Sequence, residues 1–311
     1  MLTALILLGA ALFGLGATSE HLTAQAEQDF PPSGRFIEAG GLRQHVIERG
    51  SGAPLVMIHG AYGFAEDFAV SLMPQTAKRF RSIAIDRPGH GYTEQGNPDD
   101  TATPDGQARS LHAALDRLGV KKPILLGFSY GGAVALTYAL QYPGEVAALV
   151  LVSPATHPWR SRAVMPFGIA DAPLIGSVLK HTIVTPVGAL LKDGAVDSVF
   201  APEPVPEAFG RTPVALGLRP DDYAATAREV RALDAFLREQ VPRYASLRLP
   251  VAIVVNDADR SVSSHIHGRA LAAAVPGAEL IVTDGGGHPL HFSRPESVLA
   301  AIELVAAQAE F

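Results

Sequence analysis

Three residues of this chain have the types and settings that nucleophilic catalysis requires: Ser129, His288 and Asp259. Ser129 stands in Gly127-Phe128-Ser129-Tyr130-Gly131-Gly132, directly after the apolar run Pro123–Leu126 and before the helical run Ala133–Leu140. A serine in G-x-S-x-G between a strand and a helix sits on a turn too tight for side chains two residues to either side, hence Gly127 and Gly131. Gly132 lets the helix approach the sheet, and the turn sets Ser129 at the helix's positive end, where developing negative charge is favoured. A hydroxyl is a poor nucleophile near neutral pH, so it needs an adjacent base, and the base needs a third group to hold it.

His288 follows the strand-like run Glu279–Val282 within Gly285-Gly286-Gly287-His288-Pro289. Three glycines before a histidine are hard to explain by core packing and allow the loop to fold over Ser129. Asp259 follows the run Val251–Val255, in Asn256-Asp257-Ala258-Asp259-Arg260-Ser261-Val262. Each thus falls at the carboxyl end of a strand, the edge where open α/β sheets place their sites. His291 competes as base and Asp257 as acid. The developing oxyanion needs two backbone donors. Tyr130 N–H is one by position, and Ala61 N–H, in His59-Gly60-Ala61-Tyr62-Gly63 after Leu55–Ile58, is the other. His59 itself reads as a structural hydrogen-bonding group.

The elements that must position these residues follow from periodicity. Arg35–Glu38 and Leu42–Glu48 alternate around Gly40-Gly41 and predict an antiparallel hairpin. Leu55–Ile58, Ser82–Ile85, Ile124–Leu126, Ala148–Val152, Val251–Val255 and Glu279–Val282 are short apolar runs rich in β-branched residues, expected for strands covered on both faces. Asp105–Leu118, Gly131–Gln141, Ser264–Ala274 and Pro295–Ala307 have helical spacing. The alternation predicts an α/β fold: a mostly parallel twisted sheet with helices on both faces. Between Val152 and Leu249 no buried-strand signal occurs and prolines recur, so residues 155–248 read as a helical cap inserted into a core formed by 35–154 and 249–311. Within it, Ala163–Leu191 carries formal charge only at Asp171 and Lys180. That composition fits an acyl pocket, and equally the packing of the cap on the core.

The chain has 311 residues, 48% apolar and 18% charged, which suits a large buried core rather than disorder. A net charge of −6 gives no basic footprint for nucleic acid, and the absence of cysteine excludes disulfides, thiolate metal sites and a cysteine nucleophile. No metal-ligand cluster or phosphate loop is visible, so no cofactor or metal is expected, and oligomeric state is not readable. Leu2–Ala17 is uncharged and apolar. As a helix it would rise about 24 Å, short of the ~30 Å hydrocarbon core, which fits a signal-peptide core or a marginal anchor. Residues 1–26 are therefore expected to be a signal or membrane-anchor segment and 27–34 a linker. The chain is expected to be exported or membrane-tethered rather than cytoplasmic; a helix lying on the protein's own surface is the alternative.

His59-Gly60, the turn Asp86-Arg87-Pro88-Gly89-His90-Gly91, Gly127–Gly132, Asp259 with Val262, and Gly287-His288 together resemble the serial signature of the α/β-hydrolase superfamily, in its capped, serine-nucleophile, esterase- or lipase-like branch. The resemblance runs from Arg35 to Phe311, and Asn256, where the family often has Gly, is a departure. It implies a Ser129-His288-Asp259 triad and a structural role for Asp86 and His90. Some relatives take the acid from the loop after an earlier strand, here Ser153–Pro158, which holds no carboxylate. Dehalogenases and most epoxide hydrolases of this branch carry aspartate at the elbow, so Ser129 implies acyl transfer to water on a small ester-type substrate. Lactones, C–C bonds, or proline-type aminopeptidase substrates held by Glu203, Glu207, Glu229 or Glu239 are the alternatives, as is a receptor that retains the triad.

Overall fold

The computed structural model of the protein describes residues 2–159 and 175–311. Eight strands form one sheet: β1 (Arg35–Ala39), β2 (Leu42–Arg49), β3 (Ala53–Ile58), β4 (Phe80–Ile85), β5 (Ile124–Phe128), β6 (Ala148–Val152), β7 (Val251–Asn256) and β8 (Glu279–Thr283). Their spatial order is β1-β2-β4-β3-β5-β6-β7-β8. The first two strands form the expected hairpin, in which Ala39 faces Leu42 across a Gly40-Gly41 turn with both glycines left-handed (φ 60° and 76°). β2 pairs antiparallel with β4, and every later pairing is parallel.

The continuous apolar runs are explained by two cores. Along β3, Val56 and Ile58 belong to one, packed beneath the helices Pro104–Arg117 and Tyr130–Gln141. Leu55 and Met57 belong to the other, beneath Ala65–Ser71 and Pro295–Gln308. From Leu55 to Ile58 each residue of β3 therefore buries its side chain whichever way it points. The chain turns outward from β3 to β4 and back across to β5, so a topological switch point lies between β3 and β5, where open α/β sheets make their crevice.

Several expectations need correction. β8 is the sheet edge and its Val282 is exposed, so it is not covered on both faces. The helix expected from Ser264 starts only at Gly268, and residues 264–267 form turns ahead of it. The expected linker is shorter than 27–34: Leu2–Asp29 is one 28-residue helix, and only residues 30–34 join it to β1 without regular structure. Its C-terminal part is docked on the protein, with Ser19 and Ala26 buried, Ala26 packed with Phe64 and Leu216, and Glu27 paired with Arg219 at 3.0 Å. Among the described residues no helix is long and apolar enough to cross a membrane. The expectation of an exported or membrane-tethered chain is therefore not supported. The segment's charged and small residues from Thr18 to Asp29 make a surface helix of the fold itself.

Between β6 and β7 the described residues are helical, chiefly Thr185–Phe200 and Pro220–Gln240. They pack on loops at the carboxyl ends of the strands through Val199, Glu229 and Asp222. The stretch from Ala163 to Leu174 of the expected acyl-pocket segment lies outside the described residues. In its described remainder, Val178, Val187, Leu190 and Leu191 face outward and are exposed.

Candidate active site

Ser129 joins β5 to the helix Tyr130–Gln141 at φ 53°, ψ −116°, in the left-handed half of backbone space that costs a non-glycine residue on the order of 1–3 kcal/mol. Its surroundings enforce this. A Cβ on Gly131 would lie 2.2 Å from the Ile58 carbonyl oxygen, and one on Gly127 would lie 2.4 Å from that of Gly131. The Ser129 N–H donates to Val152 O at 3.0 Å, which ties the turn to β6.

His288 Nε2 lies 3.0 Å from Ser129 Oγ, and its Nδ1 lies 2.7 Å from Asp259 Oδ2. An ionised Asp259 accepts from Nδ1–H, which leaves Nε2 free to accept the serine proton. The second carboxylate oxygen of Asp259 accepts the backbone N–H groups of Ser261 and Val262 at 2.8 and 2.9 Å. The histidine loop is reached through three consecutive left-handed glycines, Gly285, Gly286 and Gly287 (φ 64°, 105° and 66°). Its peptide groups are then clamped. His288 N–H donates to Val199 O at 2.7 Å, Ser153 Oγ donates to His288 O at 2.9 Å, and the Asn256 side-chain amide donates to Gly287 O. Asn256, where the family often has glycine, thus supports the loop.

The competing residues are placed elsewhere. Asp257 accepts from Ser264 Oγ at 2.6 Å and pairs with Arg269 at 2.8 Å; the Arg269 hydrogen bond holds its carboxyl below the usual range. His291 is buried among Phe68, Phe128 and Phe292, and burial, with a lesser contribution from His288, pushes its pKa down to about 3. His59 donates from Nδ1 to Gly60 O and accepts the Arg87 N–H at Nε2, the structural part expected of it. Burial, then the Arg87 and His90 charges, keep it well below the ordinary histidine range.

The loop after β3 brings the second expected oxyanion donor to the site. Ile58 pairs with Gly127 across the sheet, and a Cβ on Gly60 would lie 3.0 Å from Ser129 Cβ, so the Gly60–Ala61 peptide lies against the nucleophile. The Tyr130 N–H, at the first helical position, has no acceptor within its own helix.

Of the four carboxylates that kept an aminopeptidase reading open, Glu203 pairs with Arg294 and Glu229 is buried against Arg87 and His90, while Glu207 and Glu239 are exposed. His45, Glu66 and Asp86 converge closely enough to hold a cation. Asp86 and His45 are engaged by protein: Asp86 accepts from Ala65 N–H, Tyr92 N–H and His45 Nδ1, His45 Nε2 accepts from Gly34 N–H, and Ser33 Oγ donates to Glu66. The set reads as a structural brace. Two contacts were not foreseen from sequence, the Val199 carbonyl on His288 and the Arg87–Glu229 pair. The first leaves no trace in residue type because a backbone atom makes it.

A doubly covered, mostly parallel sheet with a strained serine at the switch point defines an α/β hydrolase. The chain belongs to the alpha/beta hydrolase fold family, whose description matches residues 53–295. It is similar to 2-hydroxymuconate semialdehyde hydrolase of Pseudomonas sp. (strain CF600), 37% identical over 132 residues that cover 42% of this chain and 46% of that one. It is also 29% identical over 268 residues to polyketide synthase ThaQ of Burkholderia thailandensis, covering 85% of this chain and 12% of the synthase. The chain thus spans less than half the length of either curated relative. Among solved structures, an esterase from Exiguobacterium antarcticum superposes with a TM-score of 0.71 at 23% identity, covering 88% of this chain and 99% of that one, a likeness of fold.

Proposed function

We propose that the chain is a serine hydrolase that cleaves carboxylic ester bonds through an acyl-enzyme, with Ser129 as nucleophile, His288 as general base and Asp259 as the acid that orients it. The observation that carries this reading is the continuous relay from Ser129 Oγ to His288 (3.0 Å) to Asp259 (2.7 Å) on a strained elbow. Ser129 Oγ attacks the ester carbonyl as its proton passes to His288 Nε2, and the Ala61 and Tyr130 N–H groups receive the oxyanion. Collapse expels the alcohol, which takes the proton from His288. A water then repeats the sequence on the acyl-serine, its proton returning through His288 to Ser129 as the acid departs. Asp259 stays ionised throughout and stabilises the imidazolium.

Serine at the elbow favours acyl rather than alkyl chemistry, and the engaged or exposed state of the four glutamates weighs against an amine-binding peptidase site. Cleavage of a C–C bond beside a ketone on the same residues is the second reading, favoured by the semialdehyde hydrolase among the relatives. The test is a turnover screen with p-nitrophenyl esters of graded chain length beside a vinylogous 1,5-diketone acid, with a fluorophosphonate probe as active-site label. Ester turnover and labelling at Ser129, both lost in Ser129→Ala with the fold retained, are the expected result. Labelling at another serine refutes the mechanism, and a diketone kcat/KM above that of every ester assigns the second reading instead.

A further inference from the structure

The helix Pro220–Gln240 sends one carboxylate, Glu229, into the protein interior, where it is 1% exposed. Its partners all belong to the core. Arg87 Nη1 lies 2.9 Å from Glu229 Oε2, His90 Nε2–H donates to Oε1 at 2.8 Å, and the Gln107 amide also donates to Oε1. Neither Arg87 nor Glu229 touches the relay of Ser129, His288 and Asp259. A buried ion pair is weak support for stability, because desolvation of both charges offsets their attraction. Its placement therefore asks for another account.

Arg87 supplies it. Its Nε donates to His59 O at 3.0 Å and its Nη2 donates to Gly60 O at 3.1 Å. Gly60 C=O and Ala61 N–H are the two ends of one planar peptide group and point in opposite directions. Holding the oxygen end fixes where the nitrogen end points. That nitrogen is the oxyanion donor after β3, and the peptide is pressed against Ser129. The same guanidinium lies over the Tyr130 ring, 4.6 Å from its centroid, and Tyr130 supplies the other donor N–H. One cation thus holds the carbonyl end of one donor peptide and packs on the side chain of the residue that carries the other, and Glu229 and Gln107 hold that cation in place, with Nη1 donating to Gln107 Oε1 at 2.6 Å.

We propose that Glu229 is a positioning residue for the oxyanion hole, acting through Arg87 on the Gly60–Ala61 peptide. The insertion between β6 and β7 thereby reaches the chemistry without contacting substrate. The inference rests on the serine-hydrolase reading above. A donor set aside by even a fraction of an ångström weakens transition-state stabilisation while leaving ground-state binding largely alone.

The test is Glu229→Gln, which keeps the shape and removes the charge opposite Arg87, beside Arg87→Lys, which keeps the charge but cannot span two carbonyls. Active sites are counted by the p-nitrophenol burst or by fluorophosphonate, so that misfolded enzyme does not enter the rate. The expected result is a kcat per active serine lower by about 10- to 100-fold with KM within about threefold of wild type. A trifluoromethyl ketone, whose hemiketal oxygen occupies the hole, should lose affinity in step with kcat. If Glu229→Gln does not fold, Arg87→Lys gives the same reading. A kcat per active serine equal to wild type, with any loss confined to the number of active sites or the melting temperature, refutes the proposal and leaves a structural ion pair. Failure of fluorophosphonate to label Ser129 in the wild type would instead refute the serine mechanism, and this inference with it.

Discussion

Replacing Asp259 by Asn should disable the base rather than loosen it, and the structure says how. Two backbone donors, Ser261 N–H and Val262 N–H, converge on one carboxylate oxygen at 2.8 and 2.9 Å, and the other oxygen faces His288 Nδ1 at 2.7 Å. An asparagine in this place must set its oxygen toward the two donors, because its NH2 cannot accept from them. The NH2 then points at Nδ1 and requires that nitrogen to be the acceptor. The imidazole proton moves to Nε2, the nitrogen that must take the proton of Ser129 Oγ. A base holding the wrong tautomer loses on the order of 10⁴ in kcat, or about 5.4 kcal/mol of barrier, with little change in ground-state binding. Asp257→Asn is the internal comparison, since Asp257 pairs with Arg269 at the surface and should change kcat by less than about threefold. Steady-state kinetics on a p-nitrophenyl ester, normalised to folded protein by circular dichroism, separates the two. Retention of more than about 1% of wild-type kcat by Asp259→Asn, or a larger loss in Asp257→Asn, would refute the tautomer argument.

Deleting residues 1–29 should destabilise the protein by roughly 1–3 kcal/mol, because Ala26 leaves Phe64 and Leu216 uncovered and Arg219 loses Glu27. Thermal unfolding reads this directly, and an unchanged melting temperature would show that the helix is an appendage. Buried His291 should make stability depend on acid: its folded pKa of about 3 lies below the unfolded value, so the unfolded chain binds the extra proton. Stability is then full above about pH 6.5 and falls as pH drops toward 3, by on the order of 4–5 kcal/mol in total. His291→Phe should flatten that slope in urea titrations between pH 4 and 7, and an unchanged slope would place the acid sensitivity elsewhere.

What could be read from the sequence divides along physical lines. The strands of the sheet's centre were legible because burial on both faces leaves an uninterrupted apolar run, as in Ile124–Leu126 and Val251–Val255. The hairpin was legible because Gly40 and Gly41 are both needed at positive φ. Ser129, His288 and Asp259 stood out because each sits among glycines or short polar residues just after an apolar run, a setting that a core side chain does not need. The N-terminal helix was misread for the complementary reason. Hydrophobicity reports that a face avoids water, not whether lipid or protein covers it, and the contacts that decide the matter, Ala26 with Phe64 and Glu27 with Arg219, join residues far apart in the chain. Glu229 stands between these cases. Its helix buries a stripe at helical spacing, Asp222, Thr226, Glu229, Leu233, Leu237 and Gln240. A carboxylate on that stripe, one turn from a leucine, demands a buried cation or hydrogen-bond donor. That demand is visible in sequence; its answer is not. Only the fold brings Arg87, 142 positions earlier, beneath the helix and turns its other nitrogens toward His59 and Gly60. A polar residue on a buried stripe therefore marks where an insertion grips the core, and here the grip falls on the loop that carries the proposed oxyanion donor.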